Sequence, residues 1–135
     1  MKALDTSVLL ALLEGEPGAR DLLKKLHGVE VATTEANLLE LAYLAARGPE
    51  RHRRARREAV ARLRRKITVL PIDGHAVESA SDHFGKGGEA LALLAAAMMG
   101  ALESNGCEEL LTLDSPVPIG KWKVRVNHVR LRHTK

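Results

Sequence analysis

The chain has 135 residues, 45% hydrophobic and 28% charged, with a net charge of +4, and is expected to form one domain over residues 1–135. That length buries a core without disulfide staples, and the composition excludes a disordered chain. A lone Cys107 excludes an internal disulfide and a cysteine-rich zinc site, and the longest apolar run, residues 90–102, is too short to span a bilayer.

The first run, "MKAL", predicts a short strand ending near Asp5. Lys2 and Asp5 interrupt it too early for a signal peptide, so the cytoplasm is the expected location. "SVLLALLEG" is apolar on every side and predicts a buried helix closed by Gly15. "GARDLLKKLHG" is amphipathic, with Leu22, Leu23 and Leu26 expected inward and Gly28 as C-cap. "VEVAT" (29–33) predicts a second strand, and Thr34 then caps a helix that stops at Gly48-Pro49. A basic helix runs from Pro49 to Lys66, with Ala55, Ala59, Val60 and Leu63 as its narrow apolar stripe. "ITVLPI" (67–72) is a β-branched strand, and "DGHAVESASDHFG" starts a helix ending at Gly85. Residues 87–104 predict a long apolar helix, followed by an "NG" turn and the strand "ELLTLD" (109–114). "WKVRVNHVRL" (122–131) alternates Val with polar residues, as a half-exposed edge strand does. Strands separated by helices in this order predict a three-layer α/β/α sandwich around a mostly parallel sheet of about five strands.

Charge is unevenly distributed. Residues 47–66 carry ten Lys/Arg against two Glu, and residues 121–135 carry six Lys/Arg and no acid. The remainder is acidic, so a basic belt surrounds an acidic body, a footprint suited to nucleic acid. A solvated Arg-rich helix and a charge-protected edge strand are the structural alternatives. With only Tyr43, Phe84 and Trp122 as aromatics, RNA contact through base stacking is disfavoured. The candidate phosphate contacts are Arg53, Arg54 and Arg57 on the basic helix and Lys121, Lys123 and Arg125 on the last strand.

Four carboxylates interrupt apolar elements: Asp5 and Asp114 at strand ends, Glu40 within "NLLELAYLA", and Glu89 at the start of the long helix. Taken singly, each has an ordinary explanation as a turn former, a boundary residue or a helix-dipole partner. Gathered at the carboxyl end of a parallel sheet, they repel one another unless a cation neutralises them. Oxygen ligands without Cys or His favour Mg²⁺ or Mn²⁺, and such a site suits phosphodiester hydrolysis by metal-activated water. The six histidines are scattered without ligand spacing, and none is assigned to catalysis.

The segments "LDTSVLLALLEGE", "TTEANLLELAYLAARG" and "GGEALALLAAA…ELLTLD", in this order through about residue 116, resemble the PIN-domain family, metal-dependent ribonucleases that include the VapC-type toxins. The resemblance implies that Asp5, Glu40, Glu89 and Asp114 are the metal and catalytic acids, with Glu35 a rival to Glu40 and Asp82 a poorer candidate than Glu89. It makes Thr6, Ser7 and Thr112 polar supports, and implies RNA as substrate, a small antitoxin as partner and a homodimer. Two features depart from the family pattern. Glu89 stands where the family usually has Asp, and the stretch from Glu89 to Asp114 is longer than usual. A catalytically silent RNA-binding module is therefore the alternative reading. A haloacid-dehalogenase-like phosphatase would need a second Asp at position 7, where this chain has Ser7.

Overall fold

The structure, a computed structural model, describes residues 1–84, 93–113 and 122–131. Its strands are β1 (Lys2–Leu4), β2 (Val31–Thr34), β3 (Thr68–Leu70), β4 (Glu109–Thr112) and β5 (Arg125–His128). They form one sheet in the order β3-β2-β1-β4-β5 with every pairing parallel. Among the described residues six helices cover it: α1 (Thr6–Leu13), α2 (Pro17–Lys25), α3 (Glu35–Ala46), α4 (Glu50–Lys66), α5 (Gly74–Ser81) and α6 (Leu93–Ser104).

Alternation along the central strands divides the core into two layers. Ala3 and Leu110 belong with Ala32, Leu70, Met98, Met99 and Leu102 on the α6 side. Leu4 and Leu111 belong with Val8, Leu9, Leu38 and Leu41 on the α1 side. Helices therefore lie on both faces, as the predicted sandwich requires. Small residues at positions 3 and 32 leave room for the α6 methionines. Gly100 serves the same end between helices, since a β-carbon there would lie 2.3 Å from the Ala76 carbonyl oxygen.

Most elements fall where the sequence places them. Thr34 caps α3 by accepting the Asn37 N–H, and the "NG" turn sets Gly106 at φ +69°. Some faces differ. On α2, Leu26 is buried but Leu23 is exposed, because this short helix meets the body along one side only. No residue of α4 is fully buried; Ala59, Val60 and Leu63 are half-buried, while Ala55 is exposed in an open groove against α1 and α3. Residues 85–92 and 114–121, with Glu89, Asp114 and Lys121, lie outside the described residues.

β1 enters the sheet between β2 and β4, so chain connections leave it in opposite directions. In open parallel sheets the crevice at such a reversal, beyond the carboxyl ends of the strands, is where ligands bind. Asp5 and Leu113 continue the chain from β1 and β4 at that place.

Candidate active site

Asp5 follows the last residue of β1 and is the N-cap of α1, so one residue both ends the strand and starts the helix. Its Oδ1 accepts the Val8 N–H at 3.2 Å and the Ser7 hydroxyl at 2.5 Å. Its Oδ2 accepts the Thr112 hydroxyl from the end of β4. The Ser7 oxygen in turn accepts the Leu113 N–H at 3.0 Å, and its backbone neighbour Asp5 donates to the Leu111 carbonyl at 3.1 Å. The β1–α1 junction is thus laced to the end of β4, one residue before Asp114.

The Asp5 side chain lies in a residue only 4% exposed. Three neutral donors hold its charge, and among the described residues no Lys, Arg or His forms an ion pair with it. A buried carboxylate in that state is costly unless a cation completes it. The donors present are hard oxygens at a preorganised position, which fits a divalent ion such as Mg²⁺ or Mn²⁺. Among the described residues no group of three or more His, Cys, Asp or Glu gathers to hold a metal.

The other candidates are placed as follows. Ser7 and Thr112 touch Asp5, whereas the Thr6 hydroxyl turns away and accepts from the Asn37 amide at 3.2 Å. Glu40 is exposed on α3, one turn after Asn37. Its rival Glu35 is bound to Arg64 of α4 through contacts of 2.7 and 3.3 Å. Asp82 is exposed at the C-cap of α5.

Among the described residues, none of the basic candidates forms an ion pair with Asp5. Arg53 donates to the Gly48 carbonyl at 3.4 Å, beyond the far end of α3, about 20 Å of helix from Thr34. Arg54 pairs with Glu58 at 3.5 Å, and Arg57 is exposed. Arg125 starts β5 beside Glu109, whose carboxylate it binds, and Lys2 lies 3.7 Å from the same group. That cluster sits at the amino end of the sheet, opposite Asp5. Burial raises the Glu109 pKa, but the Arg125 hydrogen bonds and the charges of Arg125 and Lys2 outweigh it, leaving the carboxyl below its ordinary range. The backbone N–H of Lys123 donates to Glu103 at 2.8 Å, and Glu103 also meets His83, whose ring stacks on Trp122.

Sequence reasoning missed Asn37, which is 6% exposed and joins three elements around Thr6. The available signal was a polar residue on the face of α3 that carries Leu38 and Leu41 inward.

No curated protein matches the chain in sequence. Among solved structures, VapBC2 from Rickettsia felis, bound to a fragment of promoter DNA, is similar with a TM-score of 0.79 at 9% identity, over 96% of this chain and 98% of that one. DNA-bound VapBC from Salmonella typhimurium gives 0.76 at 17% identity, over 94% and 96%. VapC20 from Mycobacterium tuberculosis, a toxin that cleaves the sarcin–ricin loop, gives 0.58 at 20% identity, over 82% and 87%. These likenesses are of fold. In sequence, residues 2–116 match the PIN domain, and the chain belongs to that family.

Proposed function

We propose that this single domain is a metal-dependent endoribonuclease, the toxin of a toxin–antitoxin pair. The observation that carries the reading is the buried Asp5 carboxylate, oriented by Ser7, Thr112 and the Val8 N–H, with no basic partner among the described residues. Family membership supports the nuclease class, and the VapBC neighbours support the toxin. Glu40, Glu89 and Asp114 complete the proposed acid set, with Mg²⁺ or Mn²⁺ as the ion.

When bound, the ion supplies a water acidic enough to attack phosphorus at neutral pH. The chain's own part is orientation. Ser7 and Thr112 fix both oxygens of Asp5, so the carboxylate does not reorganise as charge develops. The Leu113 N–H bond to Ser7 holds the end of β4 in the same frame. Arg53, Arg54 and Arg57 attract the RNA backbone away from the reacting phosphate, because a carboxylate pocket alone repels it. Lys123 and Arg125, at the far end of the sheet, would meet only more distant phosphates; Lys121 lies outside the described residues.

A small antitoxin is the proposed protein partner, placing a basic side chain against the anionic site. A second copy of the chain is the proposed cover for Leu39 and Tyr43, neighbouring residues on α3 that are 67% and 62% exposed. The testing experiment is cleavage of a mixed RNA pool with Mn²⁺ or Mg²⁺ by wild type and Asp5→Asn purified identically. Metal-dependent cleavage lost in the variant supports the nuclease. Equal residual cleavage in both, or RNA binding without cleavage, overturns it; the second outcome identifies a silent binding module.

A further inference from the structure

Resting on the nuclease reading, we propose that Asn37 is a positioning residue, whose buried amide locks α3, and with it Glu40, to the turn that presents Asp5. The Asn37 Nδ2 donates to the Thr6 hydroxyl and to the Met98 sulfur, both at 3.2 Å. Its Oδ1 accepts the Thr34 hydroxyl at 2.7 Å, while the Thr34 oxygen accepts the Asn37 N–H at 3.3 Å. One side chain therefore ties the end of β2, the start of α1 and the middle of α6 to α3. Thr34, Thr6 and Asn37 are all buried, so water does not compete for these bonds.

The chemistry requires this residue type. An amide of that length offers two donor hydrogens and an acceptor oxygen, whereas Asp lacks the donors and Leu lacks both. Thr6 is the link to the site, because its backbone lies between Asp5 and Ser7, whose hydroxyl binds the Asp5 carboxylate. Glu40 is the other end of the link, three residues after Asn37 on the same side of α3. A roll of α3 by 10° moves a side-chain tip roughly 6 Å from the helix axis by about 1 Å. Misplacement on that scale costs about a hundredfold in rate when it affects a reacting geometry. An apolar residue at 37 would keep the helix packed but remove what sets its rotation.

The experiment compares Asn37→Leu, Thr6→Val, their double variant and the conservative Thr6→Ser with wild type. Mn²⁺ binding is followed by electron paramagnetic resonance, folding by circular dichroism, and cleavage of an RNA substrate by kcat and KM separately. Asn37→Leu and Thr6→Val are each expected to weaken Mn²⁺ binding and to lower kcat by at least about tenfold with KM nearly unchanged. The double variant should be no worse than either single, since both remove one link, and Thr6→Ser should match wild type. In a Glu40→Gln background, Asn37→Leu should leave Mn²⁺ affinity where Glu40→Gln set it. Additive losses, or a Thr6→Ser defect as large as that of Thr6→Val, overturn the proposal. Should Asn37→Leu fail to fold, the contrast between Thr6→Val and Thr6→Ser decides it alone. A wild-type chain that binds Mn²⁺ and cleaves RNA while these variants equal it overturns the role of Asn37 only; a wild type that binds no Mn²⁺ overturns the nuclease reading with it.

Discussion

On the proposed reading, stability and function pull in opposite directions at position 5. A buried carboxylate held only by neutral donors is worth less to the fold than an uncharged group of the same shape. Asp5→Asn is therefore expected to raise stability by about 1–2 kcal/mol in chelator, seen as a higher Tm, while abolishing metal-dependent cleavage. Thr112→Val does the reverse at the same contact. It keeps the shape but strips one oxygen of Asp5 of its donor, and should lower stability by about 1–3 kcal/mol in urea unfolding. A Thr112→Val chain as stable as wild type would mean that the hydroxyl contributes nothing there.

Between elements, α5 and α6 pack tightly at Gly100. Gly100→Ala puts a methyl against the Ala76 carbonyl and the Ala80 side chain, and the helices must part. The expected cost is about 1–3 kcal/mol, despite the higher helix propensity of Ala, and equilibrium unfolding measures it. At the amino end of the sheet, Glu109 joins β4 to Arg125 of β5 and Lys2 of β1. Its pKa lies below that of the unfolded chain, so its stabilisation is present above the unfolded value and lost as pH falls through the folded one. Glu103 is shifted the same way: burial raises its pKa, but the Lys123 N–H and His83 lower it further. Stability in urea should therefore fall as pH drops below about 4, and Glu109→Gln should flatten that fall. An unchanged acid limb in Glu109→Gln would exclude this carboxylate as its source.

For the whole molecule, the basic residues of α4 and Asp5 are separated, so the proposed RNA substrate has to bridge them. Contacts along α4 are electrostatic and independent of sequence, so they should appear as a salt dependence of binding. Replacing Arg53 and Arg57 together with Gln should weaken RNA binding across sequences and reduce the slope of log K against log salt by about 1.4 for a single strand. Titration at several salt concentrations checks this. A wild-type slope in the variant would place the RNA elsewhere.

Much of the fold is legible along the chain because its signals are local. Thr34 as a cap, Gly48-Pro49 as a stop and the apolar runs at "MKAL" and "ELLTL" each act within a few residues. Asp5 is legible for the same reason: a carboxylate with two hydroxyls at the end of an apolar strand is unusual on its face. Burial is harder to read on α2 and α4, where an exposed Leu23 and Ala55 look in sequence like the more buried Leu26 and Ala59. What covers a helix depends on distant elements. Local pattern along the chain is enough for the order of the elements and the parallel α/β architecture. Packing in three dimensions is what sets Ser7 rather than Thr6 on Asp5, Arg64 on Glu35, Arg125 on Glu109 at the opposite end of the sheet, and Asn37 between α3 and the Asp5 turn. Apart from the local Ser7–Asp5 contact, each of these is a hydrogen bond between residues brought together by strand register and helix packing, and spacing along the chain does not encode which side-chain atoms those meetings place within hydrogen-bonding distance.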